Sequence, residues 1–78
     1  MSTPIRRRLE TIRRDAFAFN GRRTVQIACG RLYASRKFAV AVREPGDHLW
    51  TVLATYSTSG EAVDAFAAHV DRMREEVA

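Results

Sequence analysis

A chain of 78 residues with 46% hydrophobic and 28% charged side chains has the make-up of one small folded domain, residues 1–78, with a thin core, and not of a disordered segment. Its one cysteine, Cys29, excludes an internal disulfide, and no apolar run has signal-peptide or bilayer-spanning length, so a cytoplasmic address is expected. The net charge of +4 is unevenly spread: residues 1–43 carry eleven basic side chains against Glu10 and Asp15, a balance of +9, whereas residues 44–78 carry Arg72 and Arg74 against seven acids, a balance of −5.

Twelve of the thirteen basic residues are arginine, whose guanidinium fork suits phosphate, carboxylate and aromatic faces better than an ammonium does. Thr3-Pro4 reads as a helix start, with Thr as N-cap and Pro at the first helical position. Ile5, Leu9, Ile12, Ala16 and Phe19 then recur at steps of three to four and predict an amphipathic helix, ended by Asn20-Gly21. On that helix Arg7 and Arg14 oppose the apolar stripe, while Arg6 and Arg13 flank it.

Three strands follow. Residues 23–32 alternate Val25, Ile27 and Cys29 against Thr24, Gln26 and Ala28; residues 36–43 alternate Phe38, Val40 and Val42 against Ala39, Ala41 and Arg43. Pro45-Gly46 fits the centre of a type II turn. Residues 48–56 carry two competing alternations, Trp50-Val52-Tyr56 or Leu49-Thr51-Leu53, the mark of a bulge. Thr58-Ser59-Gly60-Glu61 is a capping box, opening a helix whose buried stripe is Val63, Phe66, Val70, Met73 and Val77. The expected fold is therefore α+β: helix, three-stranded antiparallel sheet, helix, with the C-terminal helix on the Ile27/Val40 face. The opposite face is flat at Ala39 and Ala41. Either the N-terminal helix folds across it or it stays bare for a partner.

Residues 37–74 carry a Lys-aromatic-Ala start before an alternating strand, Arg-acid-Pro at its turn, and Ala54-Thr55-Tyr56-Ser57-Thr58 running into Glu61-Ala62 and Ala65-Phe66. This half of the chain resembles the sheet and helix of APETALA-type plant DNA-binding domains and the arm-binding domains of phage and transposon tyrosine integrases. The resemblance implies a sheet that enters the major groove, with Lys37 and Arg43 as contacts and Trp50 or Val52 alongside. Ala39 and Ala41 depart from it, lacking the reach that base readout needs. The α-β-β-β-α order is also that of double-stranded-RNA-binding domains, but "TSGEAVD" stands where their lysine cluster would open the second helix.

Catalytic chemistry is not written here. Cys29 alternates with Val25 and Ile27 as a small core residue, and one Cys with two separated His, His48 and His69, gives no usual zinc spacing. No glycine-rich phosphate loop or nucleophile motif occurs, so no enzyme activity, cofactor, metal or small-molecule substrate is expected. The expectation is a binding module of phage or mobile-element type, engaging nucleic acid or a nucleoprotein complex through Arg6, Arg7, Arg13, Arg14, Arg22, Arg23, Arg36, Lys37, Arg43 and Trp50. Phosphate contacts need only charge and position. The alternative rests on size and architecture, which resemble those of phage anti-CRISPR proteins: a stoichiometric inhibitor that blocks target uptake by a CRISPR effector complex. A membrane is not an expected partner, because the apolar stripe of the first helix is better used in the core.

Overall fold

The computed structural model describes residues 5–19 and 23–77; the side chains of Phe19, Arg23 and Val77 fall outside that description. Its elements are β1 (Arg6–Arg7), β2 (Leu9–Phe19), β3 (Arg23–Leu32), β4 (Phe38–Arg43), β5 (Trp50–Tyr56) and α1 (Ser59–Val77). The strands form one antiparallel sheet in the order β1-β5-β4-β3-β2.

Two expectations fail here. The sheet has five strands, not three, and residues 5–19 contain strands where a helix was expected. The helix start at Thr3-Pro4 and the stop at Asn20-Gly21 lie outside the described residues. The physical reason is a bulge. The register of β2 on β3 slips between Thr11 and Arg13, leaving Ile12 as the extra residue, half exposed at 49%. An added residue inverts every later side chain. Leu9, opposite Leu32, therefore lies on one face, while Phe17, opposite Val25, lies on the other. Apolar residues that serve two faces of a bulged strand can mimic the three-to-four spacing of a helix.

β1 and β2 lie at opposite edges of the sheet, yet only Arg8 separates them in the chain. The sheet must curl until its edges meet at that residue. Arg7 pairs with Trp50 on β5, and two residues later Leu9 pairs with Leu32 on β3. The Tyr33 N–H donates to the Arg8 carbonyl at 3.3 Å and the Val52 N–H donates to the Ile5 carbonyl at 2.9 Å, fixing both flanks of the crossing. The result is a curled, barrel-like sheet whose two edge strands are joined through Arg8, although no ladder between β1 and β2 is formed among the described residues.

The curl settles what covers the alanines. Ala28, Ala39 and Ala41 are fully buried under Leu9, Leu32 and Trp50, with Val52 packed against the group. The small residues leave room on the inner side of the curled sheet, and the larger ones fill it. Among the described residues neither a covering helix nor a bare face is found. Gly30 belongs to the same device: a Cβ there would overlap the Glu10 carbonyl and sit 2.8 Å from Thr11 Cα.

The other face of the sheet meets α1 as the sequence predicts. Ile27, Cys29 and Val40 pack with Ala62, Phe66 and Val70, bordered by Phe17, Phe38, Val42, Tyr56, Val63 and Met73. Each of the larger apolar side chains contributes about 1.5–3 kcal/mol on burial. The helix is capped by Thr58, whose hydroxyl oxygen accepts from the Glu61 N–H and donates to the Glu61 carboxylate, both at 3.2 Å. The remaining turn expectations hold. Gly46 has φ 95°, as a type II turn needs, and the Asp47 N–H donates to the Glu44 carbonyl at 3.2 Å. β5 carries its bulge at Leu53, between the pairs Val40↔Ala54 and Ala41↔Val52.

Candidate nucleic-acid interface

The residues singled out from the sequence do not form one surface. Arg6 is exposed on β1 and pairs with Asp47 at 3.5 Å. Its neighbour Arg7 is half-buried and donates from Nη2 to the Tyr33 carbonyl at 3.0 Å. On β2, Arg13 lies opposite Cys29 on the helix side, whereas Arg14 lies opposite Ala28 on the other side. Both are exposed, and neither forms an ion pair among the described residues. Arg22 falls outside the described residues; Arg23 begins β3 opposite Phe19. Arg36 and Lys37 are exposed just before β4.

Arg43 and Trp50 differ from the others. Trp50 is 3% exposed and belongs to the inner core, so its indole does not reach a partner. Arg43 stands over it, with the guanidinium carbon 4.2 Å from the ring centroid. Its Nε donates to Gln26 Oε1 at 2.8 Å and its Nη1 to the Asp47 carbonyl at 3.2 Å. That arginine serves the fold first. It also lines a cleft of about 290 Å³ with Arg6, Val25, Val42, Glu44, Asp47 and Thr51, where two bases meet two acids and no single charge prevails.

A tighter basic group gathers at the turn between β3 and β4, and sequence reasoning missed two of its members, Arg8 and Tyr33. Tyr33 is 48% exposed, with the Arg8 guanidinium carbon 5.3 Å from its ring centroid, inside cation–π range. Arg7 holds the Tyr33 carbonyl, and Arg36 and Lys37 follow on the same turn. The turn is braced by Leu32 N–H to the Lys37 carbonyl at 3.1 Å and by Ser35 N–H to the Leu32 carbonyl at 3.3 Å. Ala34 takes a left-handed φ of 58°, which sharpens the reversal. The run "RLYASRK", an aromatic between basic residues, was the available signal for this cluster.

Charge is sorted by element. Residues 1–58, which supply the whole sheet, hold eleven basic against four acidic side chains, a balance of +7; α1 holds two against five, −3. The surface ion pairs among the described residues include Arg6–Asp47, Arg31–Glu10 at 3.4 Å and Arg74–Asp15 at 3.6 Å, and exposed pairs of this kind are worth at most about 1 kcal/mol each.

No group of three or more His, Cys, Asp or Glu able to hold a metal ion occurs among the described residues. Burial pushes the Cys29 thiol above its ordinary pKa, against a smaller lowering by the Arg13 backbone and charge. A thiol held neutral in a core is a poor nucleophile. No helix among the described residues is long and apolar enough to cross a membrane. Comparison of the chain with protein-family models, with curated proteins and with solved structures finds no match.

Proposed function

We propose that this chain is a non-enzymatic module that binds nucleic acid, free or within a nucleoprotein complex, through the basic side chains of its sheet. The observation that carries the reading is the separation of charge between layers, +7 on residues 1–58 against −3 on α1. A dipolar particle of this kind turns its basic layer toward a polyanion during encounter and keeps its acidic helix in solvent. Arg13, Arg14, Arg36 and Lys37 support it further: they are exposed and free of acid partners among the described residues, so phosphate does not have to displace an internal ion pair. A cytoplasmic address goes with this reading.

The test is a salt titration of affinity for free nucleic acid. With about five phosphate contacts, log K should fall against log salt with a slope of roughly −4 to −5 on duplex DNA, and less steeply on a single strand. Weak binding seen only at low salt would not count, since any basic protein shows it. A flat slope with negligible affinity near physiological salt, together with tight binding to a purified CRISPR effector complex and loss of its target uptake, would replace this reading with the inhibitor alternative.

A further inference from the structure

We propose that Tyr33 is a stacking platform for an unpaired base, which makes the preferred partner a single strand and not a duplex. The inference rests on the nucleic-acid reading above and narrows it to one corner of the molecule.

The Tyr33 ring is 48% exposed and so open to a partner. Tyr33 is nevertheless held in place. Its N–H donates to the Arg8 carbonyl at 3.3 Å, its carbonyl accepts from Arg7 at 3.0 Å, and the Arg8 guanidinium lies over its ring. These bonds sit where the sheet closes, because Arg8 is the one residue between the two edge strands. The ring is thus presented from a junction braced by two hydrogen bonds, which reduces the ordering left to be done on binding. Arg36 and Lys37 lie three and four residues further along the same turn, exposed and without acid partners among the described residues.

Stacking surface beside cationic side chains is the chemistry that recognises a base and its flanking phosphates together. In a duplex both faces of each base are already stacked, so a ring on a tight turn would find only backbone. A single strand offers the free π-face. RNA and DNA share that feature, and the sugar is distinguished by experiment.

Labelled oligodeoxyuridine, oligouridine, an abasic strand with the same number of phosphates and a duplex are compared by fluorescence anisotropy. The wild-type protein should bind the two base-bearing strands more tightly than the abasic strand and the duplex. Tyr33→Ala should weaken binding to the base-bearing strands by about tenfold with the salt slope unchanged, whereas Tyr33→Phe should retain most of it. The double variant Arg36→Ala with Lys37→Ala should instead flatten the slope. A preference for oligouridine over oligodeoxyuridine, which differs from it only in the sugar, would name RNA as the source of the strand, and equal affinity would mean that the sugar is not read. Because Tyr33 is half exposed, the alanine variant should melt as the parent does, which the emission of buried Trp50 can report. Tyr33→Ala binding like wild type, or abasic or duplex binding equal to that of the base-bearing strands, overturns the stacking site and leaves the nucleic-acid reading standing. No salt-dependent binding to any of the four probes overturns both.

Discussion

The Arg43 guanidinium lies 4.2 Å from the centroid of the Trp50 ring, between Gln26 on one side and the β4–β5 turn on the other. Trp50 is the only tryptophan and is 3% exposed, so this arginine roofs the inner core that the curled sheet encloses. A charged residue read from the sequence as a surface contact is thus committed to the fold through one aromatic face and two hydrogen bonds.

Arg43→Ala should therefore cost stability as well as charge. Loss of a cation–π contact and of the bond to Gln26 sums to about 1–3 kcal/mol. Arg43→Lys should recover part of the ring contact but not the fork that reaches Gln26 and Asp47 together. Urea melts followed by Trp50 emission check this, and an alanine variant as stable as wild type would mean that the roof is ornamental to the fold.

Ala41→Glu tests what covers the alanine face. Ala41 is fully buried beneath Trp50 and Leu9, opposite Ala28 on one side and Val52 on the other. A carboxylate there has no partner and should destabilise the protein by about 3–5 kcal/mol, enough to unfold much of a domain this small. A variant that kept the parent melting temperature would return this face to solvent and to the list of binding surfaces.

The C-terminal half of this fold is legible because its signals are local. The alternation Phe38-Ala39-Val40-Ala41-Val42 is uninterrupted, Pro45-Gly46 makes the turn it promises, and Thr58 caps the helix that follows it. The N-terminal half is not, because its structure is decided by pairings far apart in sequence. Arg7↔Trp50 and Leu9↔Leu32 close the sheet, and nothing near Leu9 announces either. The Ile12 bulge then breaks the period-2 pattern on which a strand is recognised. The site suffered likewise. Charge composition picked out the arginines but could not tell Arg43, spent on the core, from Arg36 and Lys37, free in solvent; the run "RLYASRK" set Tyr33 between basic residues, but its contact with Arg8 depends on a crossing that no nearby residue signals.

Gly30→Ala separates the closed sheet from the helical alternative. Its new Cβ would overlap the Glu10 carbonyl and crowd Thr11 Cα at 2.8 Å, and both neighbours are backbone, which cannot rotate away. The β2–β3 ladder must part locally, at a cost of about 1–3 kcal/mol. Were residues 5–19 helical, β3 would be an open edge at Gly30 and alanine would be neutral or mildly stabilising. Hydrogen exchange gives a second readout: protection should fall in β2 around Glu10 and Thr11 ahead of α1. Unchanged stability with protection intact would argue against the crossing.

Cys29 gives the pH dependence. It is fully buried in the helix-side core beside Ile27 and Val40, and that burial raises its pKa, with the Arg13 backbone and charge opposing the rise in part. In the unfolded chain the thiol ionises at about 8.5. Between that value and the higher folded one, the unfolded state has released its proton and the native state still holds it. The Cys29 contribution to stability is therefore fully present below about pH 8.5 and is lost as pH rises through the folded pKa. The measurement is a difference between two proteins that share every other ionisable group. Urea melts of wild type and Cys29→Ala from about pH 7 to 10 should converge as pH increases, because only the wild type carries the thiol term. In the same samples a thiol reagent should label native Cys29 no faster than the core opens, and much more slowly than it labels the urea-unfolded chain. Parallel stability curves, or labelling of the native protein at the unfolded rate, would show that this thiol is not shut in the core.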